Sequence, residues 1–128
     1  MIILDENIDS FARERLRLVK IRYRHLGTDI GRSGMKDLND VIPLLNSLKL
    51  PTFLTRDKDF YSTTLTHAGY CLVYLDVLPG ESADYINRFL NHNLFRRRVD
   101  RMGKVVRLHR TAIRYHKLNS RLEHRVRW

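Results

Sequence analysis

The chain is poor in cysteine and has no long apolar stretch. Cys71 is the only cysteine among 128 residues, so an internal disulfide is excluded and a reducing compartment is expected. No segment approaches the roughly 18 to 20 apolar residues of a membrane span. The first residues, MIILDE, lack the basic and apolar regions of a signal peptide. We therefore expect a cytoplasmic protein without membrane contact, in which Cys71 is a buried strand residue and not a nucleophile.

Glycine and histidine motifs that would indicate particular chemistries are also missing. Gly27, Gly31 and Gly34 follow no GxGxxG order, and the sequence has no P-loop motif. Both observations argue against a nucleotide-binding domain. The six histidines are scattered and show no metal-ligand spacing. These absences leave carboxylates and cations as the residues that could carry chemistry.

Positive charge is concentrated at one end of the chain. Residues 1–94 carry 12 Lys or Arg and 12 Asp or Glu, whereas residues 95–128 carry the other 12 Lys or Arg against Asp100 and Glu123. The whole excess of +10 therefore lies in the last quarter. It favours a nucleic-acid partner, because Lys and Arg that neutralise phosphates release condensed counterions. A solvated tail and a surface covered by an acidic protein are the alternatives. The candidate phosphate-binding residues are Arg96, Arg97, Arg98, Arg101, Lys104, Arg107, Arg110 and Arg114.

Short apolar runs alternate with helical periodicities over the first three quarters of the chain. They predict, in order, a strand at 2–4, a helix capped by Asn7, a strand at 19–23, a helix starting near Asn39 or Asp40, strands at 52–54 and 70–76 with a short helical segment at 62–67 between them, and a helix at 81–94. This alternation predicts an α/β protein with a mainly parallel central sheet flanked by helices.

The basic last quarter contains too many apolar residues to be a disordered tail. The stretch GKVVRLHRTAIRYHKL predicts two strands around residues 109–111, which form a basic C-terminal β-hairpin, and residues 119–128 are expected to fray or to form a basic helix. We therefore expect an α/β core at 1–94 and a basic extension at 95–128 packed on or beside it, within one domain overall.

Several carboxylates follow predicted strands or precede a predicted helix. Asp5 ends the first strand, and Thr55 and Asp57 end the strand at 52–54, with Asp59 close behind. Asp37 and Asp40 lie at the start of the helix before that strand. Ligands of open α/β sheets bind at the carboxyl ends of the strands, where these residues would converge. Oxygen-only ligands favour Mg²⁺ or Mn²⁺, with Asp5, Asp37, Asp40 and Asp57 as the metal ligands. The alternative is that Asp37, Asp40 and Asp59 are helix caps and turn formers.

Three short motifs carry a family resemblance. ILDEN at 3–7, GMKD at 34–37 and FLTRDKDF at 53–60 resemble the PIN-like domains related to VapC-type toxin ribonucleases. The resemblance covers about residues 1–75, and TRDKDF is its most specific part. It implies a three-layer PIN-like fold, a Mg²⁺- or Mn²⁺-dependent endoribonuclease that cuts single-stranded RNA, a cognate antitoxin protein and possible homodimers.

The resemblance also assigns roles to individual residues. Asp5 matches the first metal-binding aspartate, and Asp37 matches the acid before the second helix, with Asp40 as its rival. Asp57 matches the late aspartate, with Asp59 beside it and Thr55 as its hydroxyl partner. We take Asp5, Asp37, Thr55, Asp57 and Asp59 as the candidate catalytic residues. The toxins carry a further glutamate on an earlier helix, and Glu14 does not match its place. The alternative function is therefore a PIN-derived module that binds RNA or a protein without cutting.

Overall fold

A seven-stranded mixed sheet organises the chain. The computed structural model describes residues 1–35 and 37–128. Its helices and strands are β1 (Ile2–Leu4), α1 (Ser10–Leu18), β2 (Arg24–His25), α2 (Leu38–Asn46), β3 (Thr52–Thr55), β4 (Cys71–Asp76), α3 (Ser82–Leu90), α4 (Arg98–Arg101), β5 (Lys104–His109), β6 (Ile113–Lys117) and β7 (His124–Val126). Short 3₁₀ helices lie at Lys58–Phe60, Thr63–Leu65 and Pro79–Glu81.

The strands are arranged in the order β2-β1-β3-β4-β5-β6-β7. The five strands from β2 to β5 in this order are parallel to one another. The pairings of β5 with β6 and of β6 with β7 are antiparallel. The predicted α/β class with a mainly parallel sheet is confirmed. The basic last quarter is not placed beside this sheet but within it, because β5 pairs with β4 along its length, for example Leu72 with Val105.

Both faces of the central strands are buried, as expected for parallel strands covered by helices on each side. One face packs against α1 and α3 through residues such as Leu4, Val73 and Val106. The other face packs against α2 through residues such as Phe53 and Leu72. We call these the α1 face and the α2 face of the sheet.

Cys71 lies at the start of β4 in the cluster on the α1 face. It is free and buried, and burial raises the pKa of its thiol to about 12. A thiol that keeps its proton at neutral pH is a poor nucleophile. The prediction that Cys71 is a buried strand residue is confirmed.

The two ends of α1 differ from the sequence predictions. The N-cap is Asp9, whose carboxylate accepts a hydrogen bond from the Ala12 amide at 2.8 Å, and not Asn7. At the other end Lys20 adopts a left-handed φ of 63°, and the Ile21 amide bonds back to the Leu16 carbonyl at 3.0 Å. This is a Schellman termination. The strand predicted at 19–23 is therefore wrong, because Val19 and Lys20 end the helix and β2 begins only at Arg24.

The remaining helices are displaced slightly from their predicted limits. Asp37 caps α2 by accepting a bond from the Asp40 amide at 3.1 Å, so the helix begins at Leu38. Pro43 consequently lies in the second turn. The predicted helix at 81–94 ends at Leu90. None of the helices within 1–35 and 37–128 is long and apolar enough to cross a membrane.

The C-terminal residues neither fray nor form a helix. They form β7, whose Val126 pairs with Ile113 and whose His124 stacks on Tyr115 with ring centroids 5.0 Å apart. The indole of Trp128 donates a hydrogen bond to the His109 carbonyl at 2.6 Å. Side-chain packing on β6 thus holds a segment that has no strand periodicity of its own.

Candidate active site

The ends of β1 and β3 lie side by side at the carboxyl edge of the sheet. Leu4 pairs with Leu54, and the Asp5 amide donates a hydrogen bond to the Leu54 carbonyl at 2.9 Å. Asp5 and Thr55 are therefore neighbours where the two strands end. The parallel pairing brings together two residues that are 50 positions apart in the sequence.

The Thr55 hydroxyl connects three parts of this edge. It donates to Asp5 Oδ2 at 2.6 Å, and it accepts from the Asp57 amide at 3.0 Å and from Asn7 Nδ2 at 3.2 Å. One donor and two acceptor positions are the full capacity of a hydroxyl group. Thr55 thereby fixes Asp5, Asn7 and the backbone at Asp57 relative to one another.

Asp5 is a buried carboxylate, only 3% exposed. Its Oδ1 accepts from the Glu6 amide at 2.7 Å and its Oδ2 from Thr55. Burial raises the pKa of Asp5, and the nearby charges of Asp57 and Glu6 raise it further, while its two hydrogen bonds partly oppose the shift. Among residues 1–35 and 37–128, no Lys or Arg forms a salt bridge with Asp5.

Asp57 faces Asp5 across a cleft of about 490 Å³, which is lined by Asp5, Glu6, Asn7 and Asp57. Asp57 is the N-cap of the 3₁₀ helix Lys58–Phe60, and its Oδ1 accepts from the Asp59 amide at 2.9 Å. Capping orients the carboxylate and leaves Oδ2 without a protein donor in the described part of the chain. Three carboxylates, those of Asp5, Glu6 and Asp57, thus line one polar cleft.

The other predicted acids lie outside this cleft. Asp37 and Asp59 line a second cleft of about 210 Å³, which Asp57 also borders. Asp40 lines neither cleft and lies 3.7 Å from the guanidinium of Arg32. Of the rivals Asp37 and Asp40, Asp37 is therefore the one near Asp57. Asp37 is also the N-cap of α2, and Asp59 lies in the first turn of the 3₁₀ helix Lys58–Phe60, so both also have structural positions.

The sequence interpretation did not assign Glu6 and Asn7 to the site. Glu6 Oε1 accepts a hydrogen bond from the Gly34 amide at 2.8 Å, which connects Gly34, in the segment between β2 and α2, to the cleft. A Cβ on Gly27 would lie 2.6 Å from that oxygen, so glycine is needed there. Asn7 accepts from the Arg56 amide at 3.1 Å. The only sequence signal for either residue is adjacency to Asp5.

Arg56 reinforces the end of β3 from the other side. Its guanidinium donates to the Ser82 hydroxyl at 3.0 Å and to the Val77 carbonyl at 3.2 Å. These bonds attach the TRDKDF segment to the start of α3. The arginine of this motif is thus a structural tie and does not point at the two carboxylates.

The predicted phosphate-binding residues fall into two groups. Arg96, Arg97, Arg98, Arg101 and Lys104 precede or begin β5, at the amino edge of the parallel strands and opposite to the carboxylate cleft. Arg101 is 6% exposed, and its guanidinium bonds to the Thr52 hydroxyl at 2.9 Å and to the Phe95 carbonyl at 3.0 Å. Its donors are used inside the fold, and its role as a phosphate-binding residue stays a prediction.

Others in the first group also have intramolecular partners. Arg97 pairs with Asp100 at 2.7 Å, and the Lys104 amine donates to the Asp100 carbonyl. Arg107 and Arg114, in contrast, lie on the carboxyl half of β5 and on β6, and Arg110 is exposed in the turn between them. Only this second group shares an end of the molecule with Asp5 and Asp57.

The structure brings together fewer of the acidic residues than the sequence predicted as metal ligands. Within residues 1–35 and 37–128, no group of three or more His, Cys, Asp or Glu side chains is arranged to hold a metal ion. Of the three carboxylates that line the cleft, Asp5 and Asp57 are the two that were predicted as metal ligands. In comparisons with family models, with curated proteins and with solved structures, none matches the chain.

Proposed function

We propose that this protein is a cytoplasmic PIN-like endoribonuclease that hydrolyses RNA phosphodiesters with the help of Mg²⁺ or Mn²⁺. The observation that carries the proposal is Asp5. It is a buried carboxylate with no cationic partner in the described part of the chain, and it shares a cleft with Asp57. Placing two like charges in one cleft is unfavourable unless a cation or a proton accompanies them, and such arrangements cluster at functional sites.

The donor set suits a hard divalent cation. Carboxylate and amide side chains line the cleft, and no His or Cys of the described part of the chain is among its lining residues. Mg²⁺ usually keeps several waters and binds through one or two carboxylates together with substrate phosphates. Asp5 and Asp57 would hold the ion, and a third protein carboxylate is not required. When bound, such an ion supplies an activated water and neutralises charge that develops on the phosphodiester.

The residues of the chain have separable tasks in this proposal. Thr55 and the Glu6 amide hold Asp5 in one orientation, and the Asp59 amide does the same for Asp57. Asp57 Oδ2, which has no protein donor in the described part of the chain, can accept a hydrogen bond from an attacking water, and each Asp5 oxygen keeps one lone pair beside the bond it already accepts. In the overall reaction the water oxygen bonds to phosphorus and the bond to the 3′ oxygen breaks. The products are a 5′-phosphate and a 3′-hydroxyl: of the two protons of the water, one ends on the departing 3′ oxygen, and the other is shared between the new 5′-phosphate and solvent.

The test is the variant Asp57→Asn. We expect it to fold like the wild type and to lose RNA cleavage in MnCl₂ or MgCl₂ by at least about 100-fold, the scale at which loss of a key electrostatic group is felt. The assay follows a 5′-labelled single-stranded RNA on a denaturing gel. Asp84→Asn is the matched control, because Asp84 is an exposed aspartate on α3, where it pairs with Arg15 at 3.8 Å. Equal cleavage by Asp57→Asn and the wild type contradicts the proposal.

Binding of the cation has its own readout. Added MnCl₂ should raise the melting temperature of the wild type, because a ligand that binds only the folded state stabilises it. Asp5→Asn and Asp57→Asn should each lose that increase, while Asp84→Asn should keep it. A wild type without any metal-dependent shift would contradict the role of Asp5 and Asp57 as metal ligands.

A second candidate function is binding without catalysis. The observation that favours it is the lack of a three-residue metal group in residues 1–35 and 37–128, together with the basic surface of β5 and β6. A pure RNA-binding module should keep its affinity in EDTA and show no cleavage on addition of Mn²⁺. Metal-stimulated turnover that Asp57→Asn abolishes excludes this candidate.

The proposal also includes partners. A toxin ribonuclease of this kind would have a cognate antitoxin protein and could form homodimers. Co-purification with the product of the adjacent gene tests for the antitoxin. Light scattering on the purified chain tests for homodimers. A monomer at micromolar concentration would remove the homodimer from the proposal.

A further inference from the structure

One cross-strand row of side chains leads from the carboxylate cleft over the sheet. Thr55 pairs with Tyr74, Tyr74 with Arg107, Arg107 with Arg114, and Arg114 with Arg125. Neighbouring strands are about 4.8 Å apart, so the row spans about 19 Å. Residues paired directly across a sheet point to the same face. We call Tyr74, Arg107, Arg114 and Arg125 the arginine row.

The arginine row lies on the α2 face, beyond the part that is packed. The hydrophobic cluster on that face reaches Leu72 and Val105 and contains no residue of β6 or β7. The side chains of Arg107 and Arg114 remain 37% and 42% exposed, and Arg125 is exposed. The sheet thus presents an open surface that begins at the Asp5–Asp57 cleft.

Acidic residues orient two of the three guanidinium groups. Asp76 holds Arg107 through its Nε at 2.9 Å, and Glu123 holds Arg114 through its Nη1 at 3.1 Å. Arginine has five donors, so each pair leaves several N–H groups for a further acceptor. Arg125 has no acidic partner in residues 1–35 and 37–128. The row can therefore donate to a series of anionic oxygens.

The aromatic residues on the same face fit a polynucleotide. Tyr74 is partly exposed between Thr55 and Arg107, and Tyr61 lies above β6, with its ring 5.2 Å from that of His116. Positive grooves that follow a backbone, combined with aromatic rings for base stacking, are the features with which proteins bind single strands. Stacked nucleotides rise about 3.4 Å each, so the arginine row, which spans about 14 Å from Tyr74 to Arg125, accommodates about four of them.

We propose that the arginine row is the binding track for single-stranded nucleic acid, along which the strand reaches the Asp5–Asp57 cleft. The inference rests on the proposed function only for what happens at the cleft. Binding along the row needs no cleavage. The proposal also means that the basic run Arg96–Arg98 does not position the substrate, because that run lies at the amino edge of the strands.

The experiment measures fluorescence anisotropy of 5′-fluorescein-labelled decauridine in EDTA, from 50 to 300 mM KCl. Arg125→Gln should weaken binding about threefold to tenfold and reduce the slope of log K against log salt by about 0.7, the change for one phosphate contact on a single strand. Lys117→Gln is the matched control. Lys117 is exposed and lies on β6, but it alternates to the opposite face from Arg114 and His116. It should keep the wild-type slope.

A second variant tests the sign of the effect. Glu123→Gln keeps an acceptor for Arg114 but removes the negative charge beside Arg114, Tyr61 and His116, so it should tighten binding by a few fold. A residue that matters only for folding would not increase affinity when replaced. Circular dichroism and melting temperature show whether each variant is folded.

Three results would overturn the inference. One is equal loss of affinity in Arg125→Gln and Lys117→Gln, and another is unchanged binding in Arg125→Gln. The third is binding of a ten-residue oligoglutamate as tight as that of decauridine, which would indicate an acidic protein as the partner. Decathymidine should bind like decauridine, because the row contacts phosphates. Since cleavage is absent in EDTA, these results are independent of whether Asp57→Asn abolishes cleavage in Mn²⁺.

Discussion

At the scale of single residues, one hydroxyl group organises the candidate site. Thr55 uses its donor for Asp5 and its acceptor positions for Asn7 and the Asp57 amide. Asp5 is consequently held in a buried position where ionisation is unfavourable, and the pKa of its carboxyl is raised chiefly by burial. The same burial that makes Asp5 costly for the fold makes it suited to binding a cation.

Asp5→Asn is expected to change the pH dependence of stability. A raised pKa means that the folded state holds the Asp5 proton more tightly than the unfolded state does. The contribution of Asp5 to the free energy of unfolding should therefore decrease as pH rises from about 3.8 through the raised pKa, and Asp5→Asn should lack this decrease. Urea denaturation in EDTA between pH 3 and 7 measures both proteins.

The free energies of unfolding of the wild type and of Asp5→Asn are compared as functions of pH. A constant loss of stability from the changed hydrogen bonds shifts the Asp5→Asn curve as a whole and does not change its slope. The advantage of Asp5→Asn relative to the wild type should grow with pH. Parallel curves would show that Asp5 ionises in the folded protein as easily as in the unfolded one.

At the scale of elements, the way α1 ends decides where β2 can begin. The left-handed φ of Lys20 closes the helix and turns the chain, so that the strand starts at Arg24 and not at Val19. Left-handed backbone is unfavourable for residues with a Cβ and costs about 1–2 kcal/mol relative to the right-handed region, whereas glycine adopts it freely.

Lys20→Gly should therefore stabilise the protein by about 0.5–1 kcal/mol, the strain relief less the greater flexibility of glycine in the unfolded chain. Lys20→Ala is the matched control, because alanine keeps the Cβ and should leave stability nearly unchanged. Urea denaturation at pH 7 measures both variants. A Lys20→Gly protein that is less stable than Lys20→Ala would contradict this account of the helix end.

At the scale of the whole molecule, the basic last quarter is part of the sheet that supports the site. Phe95, Val106 and Leu108 belong to the same buried cluster as Leu4 and Leu54. The boundary expected at residues 94 and 95 therefore does not divide the packed structure. Arg101 joins the two parts, since its guanidinium binds both the start of β3 and the loop before α4.

Arg101→Met should destabilise the fold by about 2–3 kcal/mol, because it leaves the Thr52 hydroxyl, the buried Phe95 carbonyl and the partly buried Arg96 carbonyl without their donor. Arg98→Met is the control. Arg98 is an exposed arginine on the same short helix, and its replacement should change stability by less than about 0.5 kcal/mol. Equal effects of the two variants in urea denaturation would show that the buried bonds of Arg101 contribute nothing.

Hydrophobic patterning predicted the class of fold well, because it reports burial directly. The run from Cys71 to Leu75 is a central strand, and the spacing of Ala83, Ile86 and Phe89 gives the buried side of α3. Patterning failed where one local group decides the backbone. Asn7 has the chemistry of a helix cap, yet its side chain binds Thr55 and the Arg56 amide, and Asp9 caps the helix.

The candidate site was predictable only in part. The positions of Asp5 and Asp57 after two strands, together with parallel pairing, were sufficient to expect them at one edge. The separate cleft of Asp37 and the pairing of Asp40 with Arg32 depend on how α2 packs, which short motifs do not encode. The phosphate-binding candidates were chosen by charge alone, and charge does not distinguish the buried Arg101 from the exposed Arg110.

The sequence by itself determined the α/β class, the buried Cys71 and the two aspartates that end β1 and β3, because burial periodicity and strand ends are local properties. Only the tertiary structure decided which charges meet. Strand order brings Asp5 to Thr55 across 50 positions, and register aligns Arg107, Arg114 and Arg125 in one row. Register and strand order follow from packing across the whole sheet, which no short stretch of sequence contains.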